Sequence, residues 1–138
     1  MRFVVDTNAV SEFRKGNKAD TGFREWADRV AINDLAISVV TLQELETGIL
    51  LVARNDQPQA LVFRAWLDHF VRPQFRDRIL PIDNEIAIRC APLHVPHKRP
   101  YPDSLIAATA LVHDLTLVTR NVSHFKPMGV RLLNPWGA

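Results

Sequence analysis

The chain is predicted to fold as an α/β domain in which a central, mostly parallel β-sheet carries helices on both faces. Three observations point there. The run Phe3-Val4-Val5 passes directly into Asp6-Thr7-Asn8, the pattern of a buried, partly β-branched strand that ends where a helix begins. Further short apolar runs recur along the chain, separated by segments with helical spacing, and parallel neighbours need crossovers of that kind. At 138 residues and 47% hydrophobic content, with no internal repeat, linker or low-complexity stretch, residues 1–138 read as a single domain with a sizeable core.

After the first strand, Asn8 to about Arg14 suits a short helix, and Lys15 to Asp20 a polar turn around Gly16. A helix from Thr21 to Ile32 places Phe23, Trp26, Ala27 and Val30 at helical spacing. Leu35-Ala36-Ile37-Ser38-Val39-Val40 is the second strand. Thr41-Leu42-Gln43-Glu44 has the spacing of a capping box and opens a helix that carries Leu45, Ile49 and Val52 to about Arg54. Asn55-Asp56-Gln57 breaks it. Pro58 suits the first turn of the next helix, whose stripe of Leu61, Val62, Ala65, Trp66 and Phe70 ends at Pro73. Ile79-Leu80-Pro81-Ile82 reads as a strand at a sheet edge or a strand terminus, because its proline cannot donate to a ladder. Asp83 can cap a helix holding Ile86, Ala87 and Cys90. Pro92, Pro96, Pro100 and Pro102 then require an extended loop. An Ala- and Leu-rich helix follows from Asp103 to Asp114, then the strand Leu115-Thr116-Leu117-Val118-Thr119, a turn or short helix from Asn121 to Phe125, and a last strand at Val130-Arg131-Leu132-Leu133.

Apolar runs are short and broken by charges, and Asp6 falls where a signal sequence would need an apolar core, so a soluble cytoplasmic protein with no membrane partner is expected. The lone cysteine, Cys90, cannot form an intrachain disulfide, in keeping with a reducing compartment. A formal net charge of +2 is too mild to name nucleic acid as a partner by itself.

The acids sort by the end of the sheet they occupy. Asp34, Asp77 and Asp114 each precede an apolar run and fall at its amino edge, as ordinary turns. Asp6 follows a strand, Glu44 opens the helix after the second one, Asp103 opens a helix that runs back toward a strand, and Asn121 lies just past Thr119. All four reach the carboxyl edge, where open α/β sheets bind ligands. Each also has a plain local role: Asp6 as a cap, Glu44 in the capping box, Asp103 at a helix amino terminus, Asn121 at a turn. Asp20 and Asp83 reach the same edge and are read as caps. Three converging carboxylates repel one another, and a hard cation with oxygen ligands relieves the repulsion; magnesium or manganese, which keep several waters, fit.

The stretches Phe3-Val4-Val5-Asp6-Thr7-Asn8 with Ser11-Glu12, Val40-Thr41-Leu42-Gln43-Glu44-Leu45, Asp103-Ser104-Leu105-Ile106-Ala107-Ala108-Thr109-Ala110 and Leu117-Val118-Thr119-Arg120-Asn121, with the ending Asn134-Pro135-Trp136, resemble the PIN-domain ribonucleases in order across the whole chain. The resemblance is to the VapC/FitB toxins of bacterial toxin–antitoxin pairs. It implies a PIN-like three-layer sandwich and a magnesium-dependent endoribonuclease whose site matches Asp6, Glu44, Asp103 and Asn121. It also implies a homodimer and a cognate antitoxin that covers the acidic crevice. On this reading Asp6 and Asp103 are metal ligands, Glu44 is a ligand or positions the attacking water, and Asn121 is a weak or outer ligand standing where the family often has aspartate. Thr7, Asn8 and Thr119 match positions that support the site by hydrogen bonding. A water activated by the held metal would cleave RNA to a 5′-phosphate and a 3′-hydroxyl. Arg14, Lys15, Lys18, Lys98, Arg99 and Arg120 lie in loops able to flank the crevice and hold phosphates.

Competing readings stay open at this level. Cys90, His94 and His97 form a Cys-x3-His-x2-His run that lacks a fourth zinc ligand. His69, His113 and His124 stand isolated. A phosphoaspartate-type phosphotransferase also starts with an acid after its first strand, but the related haloacid-dehalogenase pattern wants an acid where Asn8 stands. The fold could also serve as an RNA- or protein-binding module without chemistry, a reading that the neutral Asn121 invites.

Overall fold

A computed structural model of the chain describes residues 1–137. Five parallel strands are ordered β3-β2-β1-β4-β5: β1 (Phe3–Val5), β2 (Leu35–Ser38), β3 (Ile79–Leu80), β4 (Thr116–Val118) and β5 (Leu132–Leu133). The first strand is therefore the centre of the sheet, with Val4 opposite both Ala36 and Leu117. The proline-bearing run became the edge strand β3, as its missing donor requires. Side chains alternate between faces. Val5, Ile37 and Val118 pack on one side with Val10, Phe23, Leu67 and Phe75, whereas Val4, Ala36 and Leu117 pack on the other with Ile106, Ala110 and Phe125. This makes the three layers: α1 (Thr7–Phe13), α2 (Thr21–Arg29), α3 (Val39–Ala53) and α4 (Gln57–Trp66) lean mainly on the first face, and α6 (Tyr101–Val112) on the second beside α5 (Asn84–Cys90). The short helix α7 (Val122–Phe125) follows β4.

Several element boundaries differ from those expected. The second strand stops at Ser38 rather than Val40, because the Ser38 side chain accepts the Val40 N–H at 3.0 Å and starts α3 there. The capping box at Thr41 is consequently unused; Thr41 is already inside the helix and buried. Pro73 does not end its helix. A π-helical turn, Leu67–Val71, precedes it, and a last helical turn carries Pro73 itself. Widening the coil here accommodates a residue that cannot donate and whose ring would crowd the preceding turn. The proline-rich stretch holds a 3-10 turn, Ala91–His94, and α6 begins at Tyr101 with Pro102 in its first turn, where proline needs no donor. That helix ends at Val112, two residues early, and Asp114 turns the chain with φ +54°.

The carboxyl-terminal segment closes over α2. Asp20 accepts Phe23 N–H at 3.0 Å as the α2 cap, and its same oxygen accepts Gly137 N–H at 2.8 Å. Trp136 lies 4.8 Å from Phe23 between ring centroids. The approach is close enough that a Cβ on Gly22 would meet the Gly137 nitrogen at 2.5 Å.

Candidate active site at the carboxyl edge of the sheet

Asp6 leaves the carboxyl end of the central strand and caps α1, its Oδ1 accepting Ala9 N–H at 2.9 Å. The cap and the buried acid are thus the same carboxylate, 5% exposed. Burial pushes the Asp6 carboxyl above the usual carboxylate range, and the charges of Asp103 and Glu44 push the same way against hydrogen bonds from Thr119 and from Ala9 N–H. Asp103 and Glu44 are thus near enough for their charges to be felt at Asp6. The Thr119 hydroxyl, at the end of β4, also accepts Asn121 N–H at 3.0 Å, so one side chain ties Asn121 to Asp6.

Glu44 lies in α3, beyond its first turn because the helix starts at Ser38, and it therefore makes no capping bond. Thr7 in the first turn of α1 donates to its Oε1 at 2.6 Å, and Thr41 stands 3.1 Å from the same hydroxyl. A polar contact from α1 thereby fixes an acid on α3. Asp103 sits in the first turn of α6, and its Oδ2 lies 2.8 Å from His124 Nε2 on α7. His124 is a residue that sequence reasoning left isolated. Its spacing of three from Asn121, on the same turn, was the available signal.

The remaining candidates divide. Asn8 is exposed and lines a hollow with Lys15, Arg120 and Asn121. Arg14 lies over the Phe63 ring at 4.2 Å and borders an apolar groove that also contains Thr7 and Glu44. Lys18 and Lys98 are exposed on a turn and a loop. Arg99 is fastened locally: its Nε donates to Leu93 O at 2.7 Å, which holds the proline-rich loop. Cys90 and His94 both turn to Ser104, at 3.5 and 2.9 Å, and His94 Nδ1 accepts Arg99 N–H at 3.3 Å. Both His94 nitrogens are engaged in this way and Cys90 packs under α6, whereas His97 is exposed on the loop, so the Cys90, His94 and His97 run is not drawn together around an ion.

The donor chemistry at the edge, the buried and disfavoured Asp6 carboxylate with the charges of Asp103 and Glu44 felt at it, is of the oxygen type that a hard cation takes. Among the described residues, no three His, Cys, Asp or Glu side chains are grouped so as to hold a metal ion between them. A cation there would take few protein ligands and complete its shell with water, which is the habit of magnesium.

An all-parallel α/β sheet with acids gathered beyond the carboxyl ends of its central strands defines the class of fold and site. The chain belongs to the PIN-domain family, whose model matches residues 3–127. It is 33% identical to the VapC ribonuclease Y4jK of Sinorhizobium fredii over 96% of each chain. It is 31% identical to the toxin FitB of Neisseria gonorrhoeae over 96% of this chain and 97% of that protein. The crystal structure of FitAcB from Neisseria gonorrhoeae superposes with a TM-score of 0.86 at 29% identity, covering 99% of both chains. A toxin–antitoxin complex from Klebsiella pneumoniae superposes with a TM-score of 0.65 at 25% identity over 98% of each chain.

Proposed function

We propose that the chain is a magnesium-dependent endoribonuclease, with manganese as a substitute, and the toxin of a toxin–antitoxin pair acting in the cytoplasm. The observation that carries this reading is the convergence of Asp6, Glu44 and Asp103 from β1, α3 and α6 on one edge, with Asp6 buried and its charge disfavoured. The names of the relatives, a VapC ribonuclease and a toxin, support the same chemistry.

When bound, the cation would supply Lewis acidity at a phosphoryl oxygen and a water acidic enough to attack near neutral pH. Asp6 and Asp103 would hold it. The Thr7 hydroxyl donates to Glu44 Oε1 and restricts how that carboxylate can turn, and Glu44 would then orient the attacking water. Asn121 offers a neutral amide, which lowers the negative charge a phosphate must approach. Arg14 and Arg120 lie on either side and would draw the RNA backbone by charge.

The antitoxin proposal rests on the groove beside Glu44, whose Leu45, Ile49, Val52, Phe63 and Trp66 suit an apolar segment. A basic side chain on that segment could reach the acids and form charge-assisted hydrogen bonds. Exposed Leu50, Leu51, Leu61 and Val62 on α3 and α4 support self-association as a homodimer. The test is cleavage of single-stranded RNA by purified protein with magnesium. Loss of cleavage with chelator and in Asp6→Ala is expected; cleavage that survives both would contradict the metal-site reading.

A further inference from the structure

A hollow of about 480 Å³ opens beside the acids on a different face of α1 from the apolar groove. Asn8, Glu12 and Lys15 recur at helical spacing and line it, whereas Thr7 and Arg14 face the groove, with Ser11 between. Its other walls are Arg120, Asn121 and the Trp136 indole. The lining is therefore amide, hydroxyl, cation and one aromatic ring, in contrast with the aliphatic groove. Glu12 is the exception, but its oxygens accept Asp20 N–H at 2.9 Å and pair with Lys15 at 2.9 Å.

The indole is held before any ligand arrives. It packs on Phe23, its neighbour Gly137 is hydrogen-bonded to Asp20, and the Arg120 guanidinium sits 6.0 Å from its centroid. A ring already fixed loses little freedom when it binds. We propose that this hollow seats one nucleotide of single-stranded RNA next to the phosphate to be cut, with its base against Trp136 and its phosphate on Arg120. An unpaired strand is implied because only an unstacked base can reach an indole set in a pocket. Asn121, tied through Thr119 to Asp6, joins this hollow to the acids, so the seated nucleotide and the reacting phosphate are neighbours along one strand. The inference rests on the ribonuclease reading.

The test uses the intact protein with magnesium and a fluorescein-labelled pool of short single-stranded RNAs of randomised sequence, measuring cleavage, half-saturation and melting temperature. Trp136→Leu keeps apolar volume against Phe23 and removes the stacking face, whereas Trp136→Phe keeps a ring. Half-saturation should rise roughly tenfold in Trp136→Leu with little change in the maximal rate, and stay close to wild type in Trp136→Phe. Arg120→Gln should flatten the dependence of binding on salt by about one unit of slope. Equal half-saturation in wild type and Trp136→Leu, or equal losses in Leu and Phe variants, would overturn the seat, as would an unchanged salt slope in Arg120→Gln. A wild-type protein that neither binds nor cleaves any of the pool would sink the ribonuclease reading itself; cleavage with normal Trp136 variants would sink the seat alone.

Discussion

Asp6 combines two roles in one carboxylate: it starts α1 through Ala9 and presents a buried charge to Asp103 and Glu44. The neighbouring side chains tune that charge, and two of them are open to test. His124 holds one oxygen of Asp103, which restricts how the carboxylate can turn. We predict that His124→Ala weakens magnesium binding roughly tenfold, as loss of an orienting partner does, and that His124→Gln, which keeps an N–H donor, recovers much of it. Calorimetric titration without RNA reads this directly, and equal affinities in all three proteins would show that His124 only packs. Asn121→Asp restores a fourth carboxylate. Its cleavage activity should saturate at lower magnesium than the wild type, and superimposable titrations would place Asn121 outside the influence of the metal.

The helices that carry the acids are set by local chemistry that can be weighed separately. Glu46 on α3 and Arg64 on α4 form a two-pronged pair at 2.9 and 2.8 Å, and the hydrogen bonds from Arg64 hold the Glu46 carboxyl below its ordinary value of 4.5. A depressed acid contributes stability that is present above the unfolded pKa and lost as pH falls through the lower folded one. Arg64→Gln should therefore lower the melting temperature near neutral pH by a few degrees and make little difference once Glu46 is protonated. A deficit that stays constant across that acid range would assign the loss to packing of the Arg64 stem. This level is also where sequence reasoning ran out. The periodicity of apolar runs located every strand of the sheet, since burial on both faces leaves an unmistakable pattern at Phe3-Val4-Val5 and Leu115 to Thr119. Boundaries were harder: Ser38 and Thr41 are both capable caps three residues apart, and tertiary burial of Val40 and Thr41 decided between them. The same shift removed Glu44 from a capping role. The contact between Asp103 and His124 could not be read in sequence, because it depends on how α7 lies against α6 across 21 residues of chain.

Across the whole molecule, three separate segments deliver negative charge to one edge of the central strands, and the fold holds those charges together at a cost. For the metal-free protein the sign follows from Asp6. Its folded pKa is raised above the ordinary 3.8, so the folded chain binds its proton more tightly than the unfolded chain. Stability from that group is present below the unfolded value and is lost as pH rises through the higher folded one. On the proposed reading, the ionised cluster would strain the metal-free protein near neutral pH, and a cation that binds only the folded state would restore stability by mass action. Asparagine in place of Asp6 keeps the capping oxygen for Ala9 and removes the charge. The most direct measurement melts wild type and Asp6→Asn near neutral pH, in chelator and in magnesium, and assays RNA cleavage on the same preparations. The expected result is a higher melting temperature for Asp6→Asn in chelator, a smaller rise on adding magnesium, and no cleavage. An Asp6→Asn protein that melts lower in chelator, keeps the full magnesium response and still cuts RNA would show that Asp6 is a structural cap and that the metal-held nuclease site lies elsewhere.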